Sequence, residues 1–304
     1  MRLEIQGLAA LAVLCLVGAA APEAGAQDWE AVEIEAIELG PGVHMLLGRG
    51  GNMGVLSGED GIVLIDDQYA PLTDKIVAAI RSISDAPIRF VLNTHWHGDH
   101  VEGNENFARA GALIVAHDNV RSRMSVEQFM EAFDRVVPPS PQMALPVVTF
   151  SEMMTFHLNG YELCAFHIRN AHTDGDVVIE FRGANVVHMG DIYFSGGYPF
   201  IDYSAGGTID GMIAAVEKVL AMVDDETKII PGHGPLSHKA ELRDYRDMLI
   251  GVRDAVAAEI EMGKSSDEVV AANPTAPWDE KWGGGFLSPE AFARIVYADL
   301  SRRE

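Results

Sequence analysis

Three histidines and one aspartate fall within six consecutive residues of this sequence. They lie in the segment Asn93-Thr94-His95-Trp96-His97-Gly98-Asp99-His100. Imidazole and carboxylate groups are ligands that suit zinc and related metals. Because His95 and His97 are two residues apart, both can reach one ion while Asp99 and His100 turn toward a second. A short apolar run precedes the segment and can hold it rigid, so the sequence predicts a metal site here.

Further candidate ligands occur later in the chain, each where a predicted strand meets a loop. They are His172 in Ala171-His172-Thr173-Asp174-Gly175-Asp176, Asp191 after Met189-Gly190, and His233 in Pro231-Gly232-His233-Gly234. A single histidine after a strand is usually a structural residue, so each motif alone is weak. Strand ends present side chains to a shared edge, and the motifs together therefore indicate one site.

With these four motifs the chain resembles the metallo-β-lactamase superfamily over roughly residues 32–235. The family motifs are H-x-H-x-D-H, a histidine in an H-[ST]-x-G-D context, an aspartate after a strand and a late G-H-G. The resemblance implies an αββα sandwich, in which two mixed β-sheets pack face to face with helices outside. It also implies two zinc ions per chain: His95, His97 and His172 on one, Asp99, His100 and His233 on the other, and Asp191 bridging.

The expected chemistry is hydrolysis without a protein nucleophile. Two zinc ions about 3.5 to 4 Å apart lower the pKa of a shared water, so that hydroxide forms near neutral pH and attacks a carbonyl carbon or a phosphorus. Asp99 and His233 are the candidate catalytic residues, and Asp99 can orient the nucleophile. The chain has no G-x-S-x-G motif that would indicate a serine nucleophile instead.

Neighbouring residues are expected to support the ligands. Asp66 matches a position that commonly supports the metal loop in this family, and Thr94 and Asn93 are candidates for the same role. For Asn93 a turn or cap residue is an equal alternative.

Other residues outside the motifs are expected to be structural. Cys164 is read as a small core residue. The aromatic residues at 193–203 are interpreted as a pocket wall, and for Trp96 the choice between pocket and core stays open. The remaining histidines are assigned to the surface or to packing: His44, His117, His157, His167, His188 and His238.

Three functions remain open from the sequence. The leading expectation is β-lactam hydrolysis, weak or promiscuous because Asp191 stands where most dedicated lactamases of the family have a thiolate or serine. One large group of them also has a substrate-binding lysine where this chain has Phe194. The alternative is an ester, lactone or thioester hydrolase, and the lesser alternative is an exported metal-binding protein without turnover.

Composition narrows the partners and the compartment. The formal net charge of −23 would repel nucleic acid, so a small-molecule substrate is expected. Residues 1–26 combine Arg2, an apolar run and Ala24-Gly25-Ala26, which predicts a signal peptide, export to the periplasm and no stable membrane insertion afterwards. Residues 27–304 are then one domain with Cys164 as its single cysteine, and its oligomeric state stays open.

Strands and helices must bring these motifs together. Strands are expected at residues 34–39, 43–47, 54–57, 61–66, 88–93, 113–116, 155–158, 161–167, 177–181, 184–189 and 228–230. Helices are expected at residues 71–83, 103–109, 120–133, 209–223, 237–262 and 289–303. A Pro-rich connector at residues 138–146 separates the two halves.

Overall fold

A computed structural model describes residues 27–302. The predicted signal peptide, residues 1–26, lies outside the described residues. The contacts between Cα atoms separate the chain after Ala31, and the fold described below belongs to the unit that begins at Val32.

Strands make up two large sheets and one small hairpin. The strands are β1 (Glu35–Gly40), β2 (Val43–Leu47), β3 (Met53–Leu56), β4 (Ile62–Ile65), β5 (Ile88–Leu92), β6 (Leu113–His117), β7 (Gln128–Met130), β8 (Arg135–Val137), β9 (Val148–Phe150), β10 (Met153–Leu158), β11 (Tyr161–His167), β12 (Val177–Arg182), β13 (Val186–His188) and β14 (Lys228–Ile230). The helices are α1 (Thr73–Ile83), α2 (Gly98–Val101), α3 (Asn104–Arg109), α4 (Asp118–Met124), α5 (Ile209–Met222), α6 (Lys239–Glu261), α7 (Ser266–Ala272), α8 (Asp279–Trp282) and α9 (Pro289–Ser301).

The first sheet has the strand order β1-β2-β3-β4-β5-β6-β9. Its first four strands form an antiparallel meander, and β4, β5, β6 and β9 then pair in parallel. In the parallel part Ile65 aligns with Leu92, and Leu92 aligns with Val115. This register places the residues that follow β4 and β5 side by side at one edge of the sheet.

The second sheet has the order β10-β11-β12-β13-β14. It is antiparallel except for the last pair, in which β13 and β14 run in parallel with His188 opposite Ile230. The loops after β13 and β14 therefore leave the sheet next to each other.

A core of apolar side chains joins the two sheets. One cluster contains Val63, Ile65 and Leu92 from the first sheet together with Val177 and Ile230 from the second, and these side chains are fully buried. The sheets thus pack face to face.

Helices cover the outer faces. A second cluster combines Val178 and Val187 of the second sheet with Val216 of α5, Leu249 of α6 and Val296 of α9. On the first sheet, α3 contacts β5 and β6. The predicted αββα sandwich of two mixed sheets is confirmed.

One predicted element differs in kind. Residues 120–133 were expected to form a helix, but α4 ends at Met124 and the chain continues into the β7–β8 hairpin. The short strand β9 and the helices α7 and α8 were not expected. Between residues 27 and 302 we find no helix with the length and apolar character that a membrane span requires.

Candidate metal centre

Four strand ends position the predicted ligands. The loop after β5 carries His95 and His97, and the short helix α2 that follows it carries Asp99 and His100. The loop between β11 and β12 carries His172. Asp191 lies in a single 3₁₀ turn after β13, and His233 follows β14. The seven side chains meet at one edge of the sandwich, as the strand registers require.

The side chains form two groups. His95, His97, His172 and Asp191 form the first group, Asp99, His100 and His233 form the second, and within each group the possible ligand atoms lie within 4.8 Å of one another. The first group is buried, whereas Asp99 and His233 of the second are partly exposed. The side chains that the sequence assigned to each ion lie together, with Asp191 beside the first group, and their role as metal ligands stays a prediction.

Asp191 links the two groups. Its Oδ2 lies 3.6 Å from His172 Nε2 and 3.8 Å from His95 Nε2. Its Oδ1 lies 3.0 Å from His100 Nε2 and 3.4 Å from His233 Nε2. One carboxylate oxygen therefore faces each group, which is the geometry of a bridging ligand.

The outward nitrogens of the buried histidines have fixed partners. His97 Nε2 lies 2.9 Å from Asp202 Oδ2, His100 Nδ1 lies 2.8 Å from Asp66 Oδ2, and His172 Nδ1 lies 2.7 Å from the Phe200 carbonyl. An acceptor at each of these nitrogens keeps the ring proton there. The inward nitrogens of these rings are then free to act as metal ligands.

The inward atoms fit a cation. His97 Nδ1 and His172 Nε2 lie 2.8 Å apart, and with both outer nitrogens protonated two lone pairs face each other. His95 Nε2 is buried and has no hydrogen-bond partner among the described residues. A positive ion between these nitrogens removes the repulsion and satisfies the orphaned acceptor.

Burial and charge separate the two groups electrostatically. Burial lowers the pKa of His172 to about 4 and that of His95 well below its usual value. Burial would also lower the pKa of His233, but Asp191 and Asp99 outweigh it and raise that pKa to about 9. Burial alone would raise the pKa of Asp99, yet His100 and His233 lower it to about 2. The first group thus offers neutral nitrogens, and the second offers an ionised carboxylate.

Comparison with known proteins decides the family. The sequence profile of the metallo-β-lactamase superfamily matches residues 46–234. The chain belongs to the metallo-β-lactamase superfamily. It is accordingly a hydrolase with a metal-binding His/Asp cluster.

Relatives of this metallo-β-lactamase-fold hydrolase include two hydroxyacylglutathione hydrolases. The protein from Polaromonas sp. is 26% identical over 231 residues, which are 74% of this chain and 78% of the relative. The protein from Brucella anthropi is 25% identical over 260 residues, or 80% and 91% of the two chains.

Solved structures share the metallo-β-lactamase fold. A metallo-β-lactamase from Pontibacter korlensis superposes with a TM-score of 0.57 at 19% identity, covering 71% of this chain and 99% of the other. A sec-alkylsulfatase from Pseudomonas sp. gives a TM-score of 0.64 at 16% identity over 87% of this chain. This chain spans 50% of that longer enzyme.

Asp66 supports the metal loop. Its carboxylate accepts hydrogen bonds from the Thr94 backbone N–H at 2.7 Å and the Thr94 hydroxyl at 2.7 Å, and it faces His100. Thr94 Oγ1 in turn lies 3.0 Å from His95 Nδ1. Asp66 has φ 58°, a left-handed conformation that Asp adopts more readily than most residues.

Asn93 and Asp176 fix the loops rather than the ligands. Asn93 exchanges two side-chain hydrogen bonds with Asn104 of α3, so it anchors that helix to the end of β5. Asp176 accepts hydrogen bonds from the N–H groups of His172 and Thr173. Burial raises the pKa of Asp176 to about 8.

A loop at residues 48–52 closes over the second group and was not expected from the sequence. A Cβ on Gly51 would overlap the His100 imidazole, so glycine permits this close approach. Asn52 Nδ2 donates to the carbonyls of Pro231 at 2.9 Å and Gly234 at 2.8 Å. The loop thereby holds the segment that carries His233.

The aromatic residues near the centre divide into two sets. Tyr193 and Tyr198 are fully buried in the helix-side core, so the prediction of a pocket wall is wrong for these two. Phe194 stacks on His233 with ring centroids 5.1 Å apart, and Phe200 contacts His97 and His172. Within residues 193–203, Phe194 and Phe200 are thus the residues whose rings contact candidate ligands among the described residues.

Trp96 belongs to the core and to the wall of a cleft. Its side chain is buried in the helix-side cluster, and it also borders a cleft of about 320 Å³ beside the metal loop. Gly98, Glu102 and Arg135 line the same cleft. None of the seven candidate ligands lines this cleft.

Asp202 is a supporting residue that sequence reasoning missed. Its Oδ2 lies 2.9 Å from His97 Nε2, while its Oδ1 accepts from the Ala205 N–H and the Ser204 hydroxyl. Burial would raise the pKa of Asp202, but His97 outweighs it and the pKa is lowered. No motif marks this aspartate, which lies 105 residues from its partner.

We expect Asp202→Asn to lower both metal loading and kcat/KM by about 10- to 100-fold. The amide would donate to His97 Nε2, and the ring would then carry its proton on the inward Nδ1. Elemental analysis and steady-state kinetics measure the change. Ser204→Ala removes only the hydroxyl at Oδ1 and serves as the matched control; an equal loss in that variant would argue against a tautomer effect.

His188 is a buried packing residue, as expected. Its Nε2 lies 3.1 Å from the Asn52 carbonyl, and its Nδ1 accepts from the Gly190 N–H at 3.1 Å. One nitrogen donates and the other accepts, so the ring is neutral. Burial lowers the pKa of His188 to about 4.

This lowered pKa predicts a loss of stability in acid. The unfolded chain takes up the proton near pH 6.5 and the folded protein only near pH 4, so the contribution is present above about pH 6.5 and disappears as the pH falls to about 4. The free energy of unfolding decreases by about 3 kcal/mol over this pH range. Urea unfolding of metal-free His188→Gln should show a shallower pH dependence than wild type. The exposed His157→Gln is the control, and identical slopes for wild type and His188→Gln would refute the assignment.

Proposed function

We propose that the protein is an exported dinuclear zinc hydrolase that cleaves carboxylic esters, lactones or thioesters. The position of Asp191 between the two groups carries this proposal, since one of its oxygens faces each group and the carboxylate would help to hold two ions there. Zinc fits a site of five imidazoles and two carboxylates. The hydroxyacylglutathione hydrolases among its relatives support an acyl substrate.

The residues present divide the work between them. When bound, two zinc ions supply Lewis acidity and lower the pKa of a water. Asp99, ionised near neutral pH and partly exposed, is placed to accept a hydrogen bond from the attacking water and orient it. Its Oδ2 lies 3.3 Å from His233 Nε2, so both atoms face the space in which a metal ion would be held. Phe194 stacks on one face of the His233 ring.

β-Lactam hydrolysis is the second candidate. It uses attack on the same kind of carbonyl and suits an exported enzyme. Position 194 supports ranking β-lactams second, because Phe194 stacks on His233 and offers no cation for the carboxylate that β-lactam antibiotics carry. We therefore expect cephalosporin turnover to be weaker than turnover of esters or thioesters.

A side-by-side assay tests the proposal. Residues 27–304 are purified, metal is measured by elemental analysis, and turnover of an aryl ester, a lactone, a thioester and a chromogenic cephalosporin is compared. Ester, lactone or thioester turnover with two zinc ions per chain supports the proposal. Preferential turnover of the cephalosporin would move the assignment to a β-lactamase.

Two histidine variants control this assay. His97→Ala removes a candidate ligand and should abolish both turnover and the first ion. His157→Ala removes an exposed imidazole on β10 and should change neither. Turnover that survives in His97→Ala would show that the activity comes from elsewhere.

Export is part of the proposal and has its own test. Full-length protein is produced in a Gram-negative host, the periplasmic fraction is collected, and the intact mass is measured. A mass that corresponds to a chain starting near Gln27 supports a cleaved signal peptide. Full-length protein in the cytoplasm alone would contradict it.

A further inference from the structure

A row of phenylalanine rings leads from the metal centre to the surface. The centroid of Phe200 lies 5.6 Å from that of His97 and 5.8 Å from that of His172. Phe133 follows at 4.7 Å from Phe200, and Phe286 at 6.0 Å from Phe133. The exposed fraction rises along this aromatic path, from 5% at Phe200 to 39% at Phe133 and 75% at Phe286. Apolar rings are therefore in contact with one another from the surface to the candidate ligands.

The hairpin β7–β8 presents Phe133. These two strands form a sheet of their own, and the connection between them is a 3₁₀ turn that ends at Asp134 in a left-handed conformation with φ 48°. The Glu131 N–H donates to Ser204 Oγ at 3.3 Å, and the Glu131 carboxylate pairs with Arg302. Ser204 also contacts Asp202, so the turn is fastened to the segment that orients His97.

A glycine-rich loop between α8 and α9 presents Phe286. A Cβ on Gly285 would lie 2.9 Å from the Gly197 Cα, so glycine lets this loop lie against the segment after Asp191. The next residue, Leu287, is buried in the core and fixes the end of the loop. Phe286 is thereby held outward beside Phe133 rather than folded into the interior.

The β7–β8 hairpin and the loop between α8 and α9 thus each keep a phenylalanine ring exposed to solvent near the candidate metal centre. Aromatic rings lose favourable burial when they are exposed, and contiguous apolar surface of this kind marks a binding site. The innermost ring contacts His97 and His172, which favours a substrate of the metal centre over a separate protein partner as the occupant. The formal net charge of −23 also disfavours an anionic lipid surface.

We propose that the aromatic path binds the apolar portion of the substrate, so that acyl compounds with a long alkyl or an aryl group are the preferred class. This inference rests on the proposed function and refines it. The path determines specificity; it does not take part in bond cleavage.

The first test combines substrates that differ in the size of their apolar group with variants that remove a ring of the aromatic path. Zinc-loaded wild type, Phe133→Ala and Phe286→Ala are assayed with p-nitrophenyl acetate, butyrate and octanoate, and with acetyl thioesters of ethyl and benzyl thiol. Each variant should raise KM for octanoate or for the benzyl thioester about tenfold, with the acetate and ethyl compounds changed by less than about twofold.

A matched variant guards against general damage to the hairpin. Phe129 lies on β7, is 50% exposed and has no ring contact among the described aromatic pairs. Phe129→Ala should leave the whole series unchanged. Equal losses for short and long substrates, or equal losses in Phe129→Ala and Phe133→Ala, would overturn the proposal.

A binding experiment separates failure of the path from failure of the proposed function. Calorimetric titration of wild type with neutral 4-phenylbutanamide should show binding that weakens about tenfold in Phe133→Ala, while acetamide shows none. If no acyl substrate is turned over but this binding persists, the proposed function fails and the path stands. If esters are hydrolysed without chain-length preference and the amide does not bind, the path fails and the hydrolase stands.

Discussion

Asp191→Asn should reduce kcat/KM by about a thousandfold or more and should leave fewer than two metal ions per chain. The amide is almost the same size as the carboxylate but carries no charge, so it cannot bridge two cations. Burial alone would raise the pKa of Asp191, but His100 and His233 outweigh it and lower that pKa well below its usual value. The carboxylate is thus ionised near neutral pH and ready to bind metal.

Elemental analysis and steady-state kinetics on the same preparations measure this effect. Asp254→Asn, an exposed aspartate on α6, is the control for loss of a negative charge and should match wild type. An Asp191→Asn protein that keeps two ions and full turnover would mean that the carboxylate does not link the two groups.

Asp66→Ala should destabilise the fold by about 3 to 5 kcal/mol and should weaken metal binding at the second group. The substitution leaves the Thr94 N–H, the Thr94 hydroxyl and His100 Nδ1 without their common acceptor in a buried site. It also places alanine at φ 58°, a conformation that costs about 1 to 2 kcal/mol for residues other than glycine, asparagine and aspartate.

Asp66→Asn separates these two contributions. Asparagine tolerates the left-handed backbone and its carbonyl can accept from the Thr94 N–H, so urea unfolding should show a smaller loss than in Asp66→Ala. Its NH₂ group faces His100 Nδ1, which favours the proton on the inward nitrogen. Metal titration should therefore show a defect as large as in the alanine variant. Normal metal affinity in Asp66→Asn would show that Asp66 serves the backbone alone.

The sequence pattern predicted correctly those strands that form a continuous apolar run. β2, β11 and β14 have the expected bounds, because apolar runs flanked by glycine or polar residues determine them locally. The two groups of candidate ligands were also expected, since their motifs follow strand ends that the register aligns. Their roles as ligands stay a prediction that the Asp191 and His97 variants test.

The β7–β8 hairpin shows where such patterns fail. Val120 and Met124 have helical spacing, and Phe129, Met130 and Phe133 continue the apolar pattern. The chain nevertheless turns back after Met124, where the Gln128 side chain accepts a hydrogen bond from the Arg123 guanidinium and donates one to the Arg123 backbone carbonyl. Arg123 is itself held by both oxygens of Asp174, far away in sequence. A tertiary contact of this kind leaves no local signal.

Asp202 was missed for the same reason. It lies in a loop without a recognisable motif, and its partner His97 is brought to it only by the packing of the two sheets. The loop at residues 48–52 is similar, since its glycines read as an ordinary turn. Their close approach to His100 is visible only once β2, β3 and the metal loop are assembled.

The two segments that form the outer end of the aromatic path lie outside both main sheets. Phe133 belongs to a hairpin inserted between α4 and β9, and Phe286 to a loop between the last two helices, whereas the candidate ligands follow strands of the sandwich. Insertions, deletions or substitutions in these segments would change substrate specificity and leave the strands that carry the candidate ligands unaltered. Homologues that differ in substrate preference should therefore differ first in the sequences of these two segments. A mutant library aimed at new substrates should begin with them.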